Sequence, residues 1–345
     1  MKRRTSEIEI RRAFPCGPLC PLWLKIFALL TVAASTVACS REASITASAA
    51  PKSESVAETS ASPQPLAPDS APLPHIDAKR AFQYTREVTA FGPRYMGSEN
   101  HKKLERYIVD HLKGDQVEDD AFTADTVEGK FPVRNIIAKF PGAKDGIIAI
   151  LGHYDTVYPL RNSGFVGAND GGSSTAILLE FANQLRRKKR DGYSVWLVWT
   201  DGEEAVQKWT DTDSLYGTRH LAERWEKDGT LKKIKALMVM DMIGDADLNI
   251  DRNTNGAPWL LDLIYAAAER GGYQSHFYAR EGSIEDDHIP FVKRGVPSAD
   301  VIDLDYGYNN VFWHSPQDAM DKLSPKSLEI VGDTILEAIH MLDQR

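Results

Sequence analysis

Residues 196–225 read WLVWTDGEEAVQKWTDTDSLYGTRHLAERW. The apolar run at the front of this stretch stops abruptly at Asp201, Gly202, Glu203 and Glu204, and a segment with helical spacing of apolar residues follows Trp209. A strand covered on both faces reads as a near-continuous apolar run rather than an alternating one. Adjacent carboxylates at the end of such a strand therefore place charge along one edge of a buried sheet. The pattern recurs on both sides. The run at 146–155 (GIIAILGHYD) ends in His153, Tyr154 and Asp155, and the run at 235–244 (KALMVMDMIG) turns polar at Asp241. Further β-like runs lie at 121–127, 134–140 and 298–305, and helical spacing predicts helices over 76–91, 99–114, 171–188, 214–229, 257–272 and 324–345. Apolar strands alternating with helices predict an α/β protein, a three-layer αβα sandwich around a mostly parallel, mixed central sheet.

The chain has 345 residues, 42% hydrophobic and 26% charged, an ordinary globular composition. Residues 1–39 differ from the rest: Arg3, Arg4, Arg11 and Arg12 precede a short apolar run that ends in TVAC at Cys39. A basic start, a short apolar core and small residues before a cysteine predict an export signal. The ending resembles a lipoprotein signal, with Cys39 as the lipid-bearing residue. Simple cleavage into the periplasm and an uncleaved membrane anchor are the alternatives. The expectation is an exported protein of the periplasm or cell envelope. Residues 40–74 are rich in Ser, Ala and Pro with almost no large apolar residues, which predicts a disordered tether. Residues 75–345 are read as one catalytic domain. The three cysteines, Cys16, Cys20 and Cys39, all lie in the leader, so thiol catalysis and disulfides are excluded downstream. Net charge is −8, and because the leader is basic the remainder is more acidic still, which argues against nucleic acid as a partner. No interface signal appears, so a monomer is expected.

In open α/β sheets, ligands bind outside the carboxyl ends of strands. Five segments aim metal-competent groups there: His153, Asp170, the pair Glu203 and Glu204, Asp241, and His314. Histidine and carboxylate without thiolate suit zinc in an open, catalytic site. Adjacent residues leave a strand in different directions, so one glutamate can ligate while the other handles protons. Each feature has a plainer reading when taken alone. Asp170 could cap the helix that follows it, His314 could be a surface histidine, and Glu203 with Glu204 could be a solvated corner. Their convergence on one sheet edge favours a site.

The motifs GHYD (152–155), GANDGGSS (167–174), DGEEA (201–205), DMIG (241–244), DDHIPF (286–291) and WHSPQD (313–318) resemble the zinc-dependent exopeptidase superfamily of dizinc aminopeptidases and animal-type glutaminyl cyclases. Stretches 201–222 and 283–303 look most like the cyclase branch. The resemblance implies a zinc exopeptidase-like fold, with Asp170, Glu204 and His314 as ligands of one zinc and Glu203 as the proton-transfer carboxylate. It further implies Asp241 and Asp286 in a hydrogen-bond network beside the metal, Trp209 and Trp313 as pocket walls, and Glu285 at the substrate, where a glutamine is common. In the aminopeptidases the equivalents of His153 and Asp241 hold a second metal with Asp170 bridging, so one or two zinc ions remain open. Asp155 is expected to orient His153. The implied reaction converts N-terminal glutamine of peptides to pyroglutamate with release of ammonia, and the implied partners are peptide or protein N-termini. The alternative is a dizinc aminopeptidase that hydrolyses N-terminal residues. A catalytically dead binding module would lack a ligand, and none is missing.

Overall fold

The computed structural model describes residues 71–187 and 189–345, so the expectations for the leader and for nearly all of the tether lie outside the described residues. In chain order the elements are α1 (Ala78–Thr89), α2 (Glu99–His111), β1 (Gln116–Thr126), β2 (Gly129–Phe140), β3 (Gly142–His153), α3 (Gly172–Leu185), β4 (Arg190–Thr200), α4 (Tyr216–Lys227), β5 (Ile234–Asp241), β6 (Ile250–Asn253), α5 (Pro258–Gly271), β7 (Phe277–Gly282), α6 (Ile289–Val292), β8 (Ser298–Ile302) and α7 (Pro325–Asp343). Every strand and helix expected from the sequence is present. β1 and β2 run longer than expected because their outer halves are polar and half exposed, which hides them from an apolar-run criterion. The small parallel pair β6–β7 was not expected; each strand is short and β7 is mostly exposed.

The main sheet has the order β1-β2-β4-β3-β5-β8. β3, β4, β5 and β8 pair in parallel, while the β1–β2 hairpin joins β4 antiparallel, so the sheet is mixed. The apolar runs are explained by burial on both faces. Ile148 and Ile150 of β3 face the helices α1, α3, α5 and α7, whereas Ile147, Ala149 and Leu151 face α4 and α6. The crossover after β3 runs to β4 on one side, and the next runs from β4 back past β3 to β5, so successive crossovers proceed in opposite directions. That reversal opens a crevice at the carboxyl ends of the strands, where β3 ends at His153, β4 at Thr200 and β5 at Asp241.

The end of β4 is anchored from the front of the chain. His101 on α2 is buried, with Nε2 2.7 Å from Asp201 Oδ1 and Nδ1 3.1 Å from Glu105 Oε1. The other Asp201 oxygen accepts the Arg134 amide at 2.8 Å. Burial pulls the imidazole down, and Asp201 and Glu105 more than reverse it, to about 10. Replacing His101 by leucine removes the cation and leaves Asp201 buried without its partner, a loss of about 3–5 kcal/mol. Thermal melting then reads a Tm lower by roughly 10 °C, and an unchanged Tm would show that the imidazole is not the partner that holds Asp201.

Candidate active site

The expected ligands converge at the crevice. His314 Nε2 lies 3.3 Å from Asp170 Oδ2 and 3.2 Å from Glu204 Oε1. His153 Nε2 lies 3.2 Å from Asp170 Oδ1 and 3.1 Å from Asp241 Oδ1. Asp170 thus turns one oxygen to each histidine. Two triads result, Asp170–Glu204–His314 and His153–Asp170–Asp241, and within each the ligand atoms lie within 4.8 Å of one another. The third such cluster among the described residues, His101–Glu105–Asp201, is the structural anchor of β4, where both imidazole nitrogens already face carboxylates.

The donor set fits a divalent cation. Asp170 Oδ2 and Glu204 Oε1 are buried without a hydrogen-bond partner, and buried polar atoms are rarely left so. Burial pulls the His314 imidazole down, and Glu204 and Asp170 reverse this to about 11. Burial likewise raises the Asp170 carboxyl, yet His153 and His314 hold it below its ordinary range. Positive charge is therefore favoured where the triads meet.

Local backbone explains the convergence. Asp170 does not cap α3: the N-cap is Gly171, at φ +73°, with no side-chain hydrogen bond. A Cβ on Gly171 would meet the Asp155 carbonyl at 2.7 Å and His153 Cε1 at 3.0 Å, so only glycine lets this loop lie against the end of β3. His314 itself sits at φ +47°, in the left-handed region, and its ring stacks on Trp313 with centroids 4.2 Å apart.

Glu203 lies outside both triads. It is buried, and burial raises its carboxyl well above the usual range, with Asp286, Glu204 and Asp287 adding to the rise against His153. It lines a cavity of about 640 Å³ with Glu204, Asp170, Asp241, Asp286, Trp209, Trp313 and Glu285, over an apolar floor that includes Leu160, Ile302 and Leu304. Glu285 is exposed. Asp286 is buried, and burial, then Asp300 and Asp241, raises its carboxyl well above the usual range.

Two neighbouring carboxylates shape the corner. Asp155 lies 3.6 Å from His153 Nδ1, too far for a hydrogen bond. Its oxygens instead accept the backbone amides of Glu203 at 3.2 Å and Glu204 at 3.3 Å. A carboxylate is drawn to these amides because the chain turns at Gly202, φ +62°, and leaves them without strand partners. Asp241 bonds His153 because β5 ends level with β3, and it lines the cavity together with Asp286.

A supporting residue beside Asp170 escaped the sequence reading. Asp318, in the WHSPQD motif, accepts the amides of Asn169 at 2.8 Å and Asp170 at 3.2 Å and the Tyr306 hydroxyl at 2.9 Å. It fixes the loop that presents Asp170. The motif was visible, but only His314 was taken from it.

A mixed sheet between helical layers, with carboxylates and histidines gathered beyond the carboxyl ends of its strands, defines a metal-dependent enzyme of the exopeptidase type. Residues 135–339 match peptidase family M28, and the chain belongs to that family. Within it the likeness runs to glutaminyl cyclases. The glutaminyl-peptide cyclotransferase of Drosophila melanogaster is 32% identical over 255 residues, covering 66% of this chain and 70% of that protein. The crystal structure of an Acidobacteriales bacterium glutaminyl cyclase is 49% identical with a TM-score of 0.78, covering 82% of this chain and 100% of that one. A Zn-dependent exopeptidase from Parabacteroides distasonis is 26% identical with a TM-score of 0.69, covering 78% of this chain and 99% of that one.

Proposed function

We propose that this chain is a glutaminyl cyclase, converting N-terminal glutamine of peptides to pyroglutamate with release of ammonia. The observation that carries the reading is the corner after β4: Glu204 belongs to a cation triad, while Glu203, next in chain, stays outside it in the same walled cavity. The likeness to proteins named glutaminyl cyclases supports it.

Asp170, Glu204 and His314 would hold one zinc ion. Bound there, zinc supplies Lewis acidity toward a carbonyl oxygen. The glutamine side chain folds back between Trp209 and Trp313, so that its own α-amine faces the γ-amide carbon. Glu203 takes a proton from the amine as the new C–N bond forms. It delivers that proton to the γ-nitrogen as the old C–N bond breaks and ammonia leaves. A carboxylate whose proton affinity burial has raised suits both halves of this transfer. Asp286 and Asp241 face the amide nitrogen as it changes its bonding. The nucleophile is tethered to the electrophile, so positioning alone can supply much of the rate.

The His153–Asp170–Asp241 triad keeps a second reading, hydrolysis with paired metals, within reach of the same test. Purified protein is incubated with a glutamine-initiated peptide and, separately, with leucine amide. The proposal expects the peptide to lose the mass of ammonia with every peptide bond intact. Release of free N-terminal residues, with no such mass loss, would overturn it in favour of an aminopeptidase.

A further inference from the structure

Arg94 lies in the connection between α1 and α2 and is fully buried. A buried guanidinium is ordinarily matched by a carboxylate. The hydrogen bonds of this one run instead to backbone carbonyls. Its Nε donates to the Tyr154 carbonyl at 3.2 Å, its Nη1 to the Val166 carbonyl, and its Nη2 to the Gly167 carbonyl at 2.9 Å. The Arg94 amide adds a bond to the Thr156 hydroxyl at 2.8 Å.

A further bond, from Nη1 to the Gly92 carbonyl at 3.4 Å, stays within the connection that carries Arg94; the other acceptors belong to two segments. One follows β3 and carries Asp155; the other leads through Ala168 and Asn169 to Asp170. No element of regular structure pairs the two at this point. The planar fork of a guanidinium spans several acceptors at once in a fixed geometry, which an ammonium cannot do. The second segment is shaped around it: Gly167 sits at φ +51°, and a Cβ there would lie 3.2 Å from Arg94 Nη2 and 2.4 Å from the Asp170 carbonyl. The charges nearest in effect are Asp318, Asp170 and Asp155, and Arg94 hydrogen-bonds none of them. It therefore offsets the acidity of the crevice without occupying an oxygen that a cation would need.

We propose that Arg94 is a positioning residue for the cation site, clamping the Asp155 and Asp170 segments together so that Asp170 presents one oxygen to each histidine. The inference rests on the reading of Asp170 as a metal ligand. Arg94→Lys keeps the charge but cannot span both segments, and Arg94→Met removes charge and fork together. Each variant, with wild type and Asp170→Ala, is stripped of metal and titrated with zinc against a chromophoric chelator; thermal melting of the metal-free forms is recorded in parallel. The clamp predicts that Arg94→Lys binds zinc about 10–100-fold more weakly than wild type, the size seen when groups that support metal ligands are removed. A merely structural arginine would lower the metal-free Tm and leave the zinc affinity of the folded protein at the wild-type value, and that result overturns the proposal. Should both Arg94 variants unfold, Thr156→Val removes only the acceptor of the Arg94 amide. It must then weaken zinc roughly fivefold, the worth of about one hydrogen bond, and unchanged affinity overturns the clamp. If Asp170→Ala binds zinc as wild type does, the ligand reading itself fails; if only Arg94→Lys does, the clamp alone fails.

Discussion

Replacing Glu203 by glutamine lowers turnover of a glutamine-initiated peptide by about 10²–10⁴-fold, the usual worth of a positioned acid–base group. Zinc content stays at the wild-type value. The two halves of this outcome separate Glu203 from its neighbour. Glutamine has nearly the shape of glutamate, so the cavity and the hold of Asp155 on the backbone amides of residues 203 and 204 are kept. What is lost is the capacity to take and return a proton. Glu204 shares the same turn and the same Asp155 anchor, yet faces His314, so its substitution should act through the metal instead. The measurement is kcat on the peptide beside metal analysis of the same sample. Turnover within a few-fold of wild type would remove Glu203 from the mechanism, and loss of zinc would place it among the ligands.

The second large effect is at Asp170. Alanine there removes the carboxylate common to both triads, so zinc affinity should fall by more than the roughly 100-fold upper range for supporting residues. A metal that binds only the folded state stabilises it by about 2.7 kcal/mol at a free concentration 100 times its Kd. Wild type should therefore melt at a higher temperature when zinc is added, and Asp170→Ala should not respond. His153→Ala then counts the ions. If only Asp170, Glu204 and His314 hold zinc, its stoichiometry is unchanged, whereas loss of one of two equivalents marks the second triad as occupied. A zinc-dependent rise in Tm for Asp170→Ala would contradict the assignment.

Much of this site was readable before the fold was known, for a physical reason. Strands covered on both faces must be apolar along their length, so the point where β3, β4 and β5 turn polar is also the point where they leave the core. His153, Glu203, Glu204 and Asp241 all sit at that transition. Asp170 and His314 were legible through motifs in loops. Of the supporting residues only Asp155 was, for its place beside His153 and not for its hold on the amides of Glu203 and Glu204. Asp155, Asp318 and Arg94 act on backbone amides and carbonyls far away in sequence, and a main-chain partner leaves no mark in the sequence. The β6–β7 pair was missed for a related reason: short, partly exposed strands have no apolar run to betray them.

The left-handed backbone at His314 has a consequence for how metal and peptide act on each other. A non-glycine residue in that conformation costs about 1–2 kcal/mol, which the loop tolerates only while something pins it. The His314 ring stacks on Trp313, which lines the cavity. In the proposed cyclase zinc would hold the ring while the peptide would pack on Trp313, and thermodynamic reciprocity makes the coupling between them equal in both directions. A saturating peptide should slow the escape of zinc into a chelator, and an enzyme drained of zinc should have lost its grip on the peptide as well as its chemistry.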